Sequence, residues 1–136
     1  MIVLKDEGLY CPEGDFFIDP LLPCKNAVIT HAHADHARPG MKNYICTPET
    51  SEIMKLRISN DLLIKEVEYN NEIQINSVKI TFIPAGHVLG SSQIKIDNGK
   101  YTIENLIEKL NINDDLKISL NLNQKISILN YLIISP

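Results

Sequence analysis

Over the first hundred residues, apolar positions come in short bursts, and each burst stops at turn chemistry. Gly8-Leu9-Tyr10, Phe16-Phe17-Ile18 and Ala27-Val28-Ile29 read as brief strands, broken by Pro12-Glu13-Gly14-Asp15, by Asp19-Pro20 and by Pro23. Asn43-Tyr44-Ile45-Cys46 predicts another strand. Thr47-Pro48-Glu49 then opens a helix running to about Leu56. Thr47 can cap the free amides, Pro48 suits the first helical position because no N–H is needed there, and acids occupy the first turn. The expected core-facing residues of this helix are Ile53, Met54, Leu56 and Ile58. Antiparallel strands are expected at Glu66 to Tyr69, Glu72 to Ile75 and Val78 to Ile83, with tight turns at Asn70-Asn71 and Asn76-Ser77. Gln93 to Ile96 runs into Asp97-Asn98-Gly99, a hairpin signal, since Asn-Gly accepts the positive φ values of such turns.

After Lys100 the texture changes. Residues 101–136 hold no Gly, His or Cys and are dominated by Ile, Leu, Asn and Lys. Ile103, Leu106, Ile107 and Leu110 follow helical spacing, while Leu116, Ile118, Leu120 and Leu122 alternate like a strand. Tyr131-Leu132-Ile133-Ile134 is an apolar run of β character with little protection against aggregation. The chain therefore divides into residues 1–100, with many strands and one early helix, and a divergent tail at 101–136 of unknown role. That succession predicts an α/β layered fold and excludes a helix bundle.

At 136 residues the chain accommodates one domain at most, and its net charge of −4 leaves no basic footprint for nucleic acid. The N-terminal residues lack a charged segment followed by an apolar core, so no signal peptide is expected. No apolar stretch approaches membrane-spanning length, and a cytoplasmic location is expected. Cys11, Cys24 and Cys46 form no Cys-x-x-Cys pair and read as reduced thiols packed like small apolar residues.

Chemistry concentrates in His31-Ala32-His33-Ala34-Asp35-His36, three imidazoles and a carboxylate within six positions directly after an apolar run. His and Asp are ligands for Zn²⁺ and similar ions, and gathering several on one short loop is what a two-metal hydrolytic site requires. If the chain stays extended after Ala27-Val28-Ile29, His31 and His33 point the same way and can grip one ion. Asp35 and His36 follow where the chain turns into Ala37-Arg38-Pro39-Gly40 and can face a second ion. The remaining histidine, His87, sits in Pro84-Ala85-Gly86-His87-Val88-Leu89-Gly90-Ser91 and is the natural third ligand for the His31/His33 ion.

The His-Ala-His-Ala-Asp-His run resembles the signature of the metallo-β-lactamase superfamily. The Ala-Gly-His-x-x-Gly-Ser form of the second loop resembles its nucleic-acid-processing, β-CASP-like branch rather than its thioester and lactone hydrolases. Residues 8–20 and His36-Ala37-Arg38-Pro39-Gly40 are similar to the ligase-associated DNA exonucleases, relatives of the messenger-RNA 3′-end processing factors. The resemblance spans about residues 8 to 100. It implies the N-terminal part of an αββα sandwich, with His31, His33 and His87 on one zinc and Asp35 and His36 on the other. It makes Asp19 an orienting acid and Asp35 a group that helps position the attacking water. One or two Zn²⁺ fit the histidine-rich site, with Mn²⁺ the alternative where carboxylate and water contribute more.

By the same resemblance the activity is metal-dependent DNA exonuclease chemistry, in DNA repair and in association with a DNA ligase. DNA is favoured over RNA, no membrane is involved, and the oligomeric state is open. One departure matters. In the family, the turn at Asp97-Asn98-Gly99-Lys100 leads to a strand ending Ser-Gly-Asp, whose Asp bridges the metals. Here Tyr101-Thr102-Ile103-Glu104 follows, and no Gly-Asp occurs later. A truncated, weakly active or inactive nuclease is therefore expected. The alternatives are a non-catalytic metal-binding remnant, an RNA-processing nuclease and a small-molecule thioester or lactone hydrolase.

Overall fold

The computed structural model describes residues 2–99. The helix, strand and apolar run expected beyond Lys100 lie outside the described residues, as does any strand paired across the Asp97-Asn98-Gly99 turn. Among the described residues, nine strands and one helix follow in the order β1 Val3–Lys5, β2 Gly8–Cys11, β3 Phe16–Ile18, β4 Asn26–Val28, β5 Asn43–Cys46, α1 Pro48–Arg57, β6 Ile64–Glu66, β7 Glu72–Ile75, β8 Val78–Pro84 and β9 Ser92–Asp97. Strands β1 to β6 form one sheet in sequence order. It is antiparallel from β1 to β3 and parallel from β3 to β6. Strands β7, β8 and β9 form a second, antiparallel sheet.

Side-chain alternation explains how these layers stack. In β4, Ala27 faces one core and Val28 the other, and both are fully buried. Burial on both faces is why this strand shows no polar alternation and could be recognised only as a short apolar run. Leu9, Cys11, Phe16, Ile18 and Val28 of the large sheet meet Val78, Ile80, Phe82, Ile94 and Ile96 of the small one in a single intersheet core. On the other face, Ala27, Tyr44 and Cys46 pack with Met54 of α1. The result is an α/β arrangement of helix, large sheet and small sheet.

Parallel strands cannot be joined by tight turns, so each parallel pair needs a crossover. Helix α1 supplies it between β5 and β6. Residues 29–42, which contain the histidine-rich run, supply it between β4 and β5. Helix α1 begins as its sequence predicts, with the Thr47 hydroxyl accepting from the Thr50 amide and Pro48 next in line.

Two expectations need correction, and one strand was not expected. Leu56 is 87 % exposed, so the helix packs through Met54, with Ile53 and Ile58 partly buried. The strand expected at Glu66 to Tyr69 lies earlier, at Ile64–Glu66, and runs parallel to β5 rather than antiparallel to β7. Strand pairing won over local propensity here, because Ile64 lies opposite Tyr44 on the edge of the large sheet. The three exposed residues of β1 pair with β2 and had no apolar alternation to announce them. The turns at Asn70 and Asn76 are where the sequence puts them, with φ of 62° and 49°, values that Asn tolerates. Among the described residues, no helix is long and apolar enough to cross a membrane.

Candidate metal centre

Strands β3, β4 and β5 run in the same direction, so the chain leaves all three at one edge of the large sheet. Loops at the carboxyl ends of parallel strands are where open α/β sheets place their ligands. Asp19 follows β3, Thr30 to His36 follow β4, and Thr47 follows β5. Strand β4 ends at Val28, sooner than the extended reach expected for His31 and His33. The two rings nevertheless meet, with His31 Nε2 3.1 Å from His33 Nδ1. A tight turn follows, in which the His36 and Ala37 amides both donate to the His33 carbonyl, and it swings His36 back toward Asp19.

His87 arrives from the other sheet, on the loop between β8 and β9. Its Nε2 lies 3.4 Å from His33 Nδ1. The three rings stand nearly perpendicular to one another, with centroids 4.7 to 5.1 Å apart. This set can hold a metal ion. A tetrahedral zinc with Zn–N bonds of roughly 2.0–2.1 Å requires ligand nitrogens roughly 3.3 Å apart. The 3.1 and 3.4 Å separations bracket that spacing. His31 is buried, His87 half-buried and His33 exposed, so the set opens to solvent on one side.

A second group joins Asp19, His31 and His36. Its hydrogen bonds determine which ring nitrogens carry protons. The Thr30 amide donates to Asp19 Oδ1 at 2.7 Å, and the Thr30 hydroxyl donates to Oδ2 at 2.5 Å. That hydroxyl has a single hydrogen, so toward His31 Nδ1, 2.9 Å away, it accepts. His31 therefore carries its proton on Nδ1 and turns a lone pair at Nε2 toward His33. By the same logic His36 Nδ1 donates to Asp19 Oδ2 at 2.7 Å. His36 Nε2 then faces Asp35 Oδ2, 3.6 Å away. Asp35 itself is exposed and outside both groups, its carboxyl held below the usual range chiefly by its own backbone amide.

Burial, helped by the neighbouring His36, pushes the His31 pKa down to about 4, so the ring is neutral at pH 7 and keeps its lone pair. The Asp19 hydrogen bond moves His36 the other way, upward. Because the folded His31 value lies below the ordinary 6.5, the folded metal-free chain takes up fewer protons there than the unfolded one. The stability associated with His31 is full above about pH 6.5 and is lost as the pH falls toward 4. His36, raised, contributes fully below about pH 6.5, so its contribution stays constant while that of His31 is lost. The melting temperature of metal-free protein is expected to drop as the pH falls from about 6.5 to about 5.5, above most carboxylate titration. The drop should flatten in His31→Gln, and an identical profile for the two proteins would contradict this assignment.

No family model matches the chain. A probable DNA ligase from Opitutus terrae is 27 % identical over 95 residues, which cover 69 % of this chain and 9 % of that protein. The chain thus spans less than a tenth of the length of the curated relative it matches. Solved structures that resemble it include a protein of unknown function from Enterococcus faecalis, 18 % identical with a TM-score of 0.45 over 57 % of this chain and 23 % of the other. A variant of the CmlA β-hydroxylase is 16 % identical with a TM-score of 0.43, over 68 % and 20 % of the two chains. A metallo-β-lactamase from Hirschia baltica is 14 % identical with a TM-score of 0.44, over 73 % and 60 %.

The sequence offered His31, His33, Asp35, His36, His87 and Asp19 as site residues, and the structure gathers all but Asp35 into the two groups. What sequence reasoning missed is Thr30. Its amide and hydroxyl hold Asp19, its hydroxyl meets His31, and its carbonyl accepts from the amide and hydroxyl of Ser92 at 2.9 and 3.0 Å. A threonine before the first histidine was the available signal, but nothing local says that it bonds across both sheets.

The second loop is fixed just as closely. Gly90 presses on the start of α1, where its carbonyl accepts from the Thr47 and Thr50 hydroxyls at 2.8 and 2.9 Å. A Cβ at Gly90 would lie 2.5 Å from both Thr50 N and Oγ1, and φ is +80°. Only glycine fits there. The three thiols take no part: burial raises Cys11, pushes Cys24 up to about 11 and Cys46 up to about 12.

Proposed function

We propose that this chain carries the metal-binding part of a metal-dependent phosphodiester hydrolase, a DNA exonuclease of the metallo-β-lactamase type, with residues 1–100 as a partial domain of that fold. The convergence of three histidine nitrogens from two different sheets, at 3.1 and 3.4 Å, carries this reading. Zn²⁺, or Mn²⁺ in a more oxygen-rich setting, would supply Lewis-acid polarisation of the phosphate and an activated water near neutral pH. His31, His33 and His87 hold the first ion. His36 Nε2 and Asp35 mark a second position with two protein donors among the described residues. Asp19 orients His36 directly and His31 through Thr30, so that each presents a lone pair on Nε2. Exposed Asp35, beside that second position, is placed to orient an attacking water.

The preference for DNA is supported by the name of the curated relative, a probable DNA ligase. A role in DNA repair alongside a ligase follows from the sequence resemblance. The reading of a non-catalytic, metal-binding remnant is favoured by one observation, that the second position has two donors among the described residues.

The full chain is expected to bind one zinc equivalent tightly, because a lasting zinc site needs about three protein ligands. Elemental analysis after exhaustive dialysis checks this, and two retained ions per monomer would contradict it. With zinc or manganese added, end-labelled single- and double-stranded DNA, RNA and a chromogenic thioester separate the activities. Slow shortening of DNA that disappears in His31→Ala supports the exonuclease. Turnover of the thioester alone would overturn it, and binding without turnover of any substrate is the remnant's signature.

A further inference from the structure

His31 and His36 are each steered by a hydrogen bond to the ring nitrogen that faces away from the candidate metal. Among the described residues nothing bonds Nδ1 of His87, and its Nε2 is the atom that meets His33. Its placement rests on the backbone of its loop, and that loop is wound around one side chain. The Ser91 hydroxyl accepts from the His87 amide and the Val88 amide, both at 3.1 Å. The Ser91 amide closes the turn onto the Val88 carbonyl at 2.9 Å.

Ser91 is in turn held from outside the loop. It is 3 % exposed, and its carbonyl accepts from the Ala85 amide at 3.1 Å and from the Tyr69 hydroxyl at 3.0 Å. The next residue, Ser92, bonds twice to the Thr30 carbonyl, one residue before His31. A continuous set of bonds therefore runs from the backbone of His87 through Ser91 and Ser92 to the loop that carries the other two histidines.

We infer that Ser91 is a positioning residue for His87: its hydroxyl sets the backbone of the loop that brings the third histidine nitrogen into register with His31 and His33. The inference rests on the metal-site reading above. A hydroxyl gripping two successive amides is an anchored local turn, which loses its definition when the acceptor is removed. Ligands lacking such support bind metal tenfold to a hundredfold more weakly.

The test is a double-mutant cycle on the full chain, read by competitive zinc titration and by the visible spectrum of the Co²⁺-loaded protein. Ser91→Ala is expected to weaken zinc about tenfold. It should also shift the Co²⁺ bands toward the weaker absorption of a site that has exchanged a histidine for water. In a His87→Ala background the same substitution should change zinc affinity less than about twofold, because the ligand through which it acts is gone. Ser91→Thr, which keeps the hydroxyl, should restore the Co²⁺ spectrum.

Tyr69→Phe removes the hydroxyl that holds the Ser91 carbonyl and also meets the Thr47 side chain. It should give a smaller loss, also absent in the His87→Ala background, and it reads the same coupling if Ser91→Ala does not fold. Equal losses with and without His87 would show that Ser91 serves general stability and would overturn the inference. A wild-type chain that binds no zinc at all would overturn the metal-site reading, and this inference with it.

Discussion

Replacing His33 with alanine is expected to lower zinc affinity by more than about 100-fold, beyond the range seen when only a supporting partner of a ligand is lost. His33 Nδ1 is the atom within 3.1 Å of His31 Nε2 and 3.4 Å of His87 Nε2, so it links the two halves of the set. Without it, two nitrogens from separate sheets remain. The matched control is Cys24→Ser. Cys24 is half-buried, with its thiol donating weakly to the Asn26 carbonyl, and burial pushes its pKa up to about 11. It is therefore a protonated thiol at neutral pH and a poor zinc ligand. A competitive titration against a zinc-binding dye should show the control within about twofold of the parent, well inside the loss expected when a ligand is removed. Comparable losses in the two variants would mean that the ion sits elsewhere.

Phe82→Ala should cost about 3–5 kcal/mol of folding stability, the usual range for emptying a fully buried aromatic site. Phe82 is completely buried in the middle of the intersheet core and lies opposite Ile94 on β9. Total stability of a domain is only about 5–15 kcal/mol, so the loss is a large share of it. The effect should reach the metal site as well. His87 reaches His33 only while the small sheet is docked on the large one, so zinc affinity should fall along with stability. Leu56→Ala, at an 87 % exposed helix position, should leave both unchanged. Urea unfolding midpoints and zinc titrations on the same samples check the pair. A Phe82→Ala protein with full zinc affinity and an unmoved midpoint would show that the sheets do not hold the site together.

Much of the site was legible in the residues, and for a chemical reason. Histidine is scarce in this chain, and three of its four copies fall within positions 31–36. Clustering of that kind needs no tertiary information to be noticed. Turns and caps were legible too, because Asn70, Asn76, Thr47 and Pro48 act through their own backbone neighbours. Strands β2, β3 and β5 carried enough β character in three or four residues to be placed to within a residue.

Sequence alone, then, determined the chemistry on offer and the local punctuation: which residues can bind metal, where the helix begins, and where the chain turns. Tertiary structure decided everything that depends on elements meeting. It made β6 a parallel edge strand, exposed Leu56, brought Asp19 against His36, and set Thr30 between the carboxylate of one loop and the imidazole of the next. The support given to His87 by Ser91, Tyr69, Gly90 and Ser92 belongs to the same class. The physical reason is one of range. Capping, turn formation and ligand chemistry act between residues a few positions apart. Register, burial and proton placement follow from hydrogen bonds and packing between residues far apart in the chain, as in the bond from Ser92 to Thr30, 62 positions away. Such pairings exist only once both sheets have closed on their shared core.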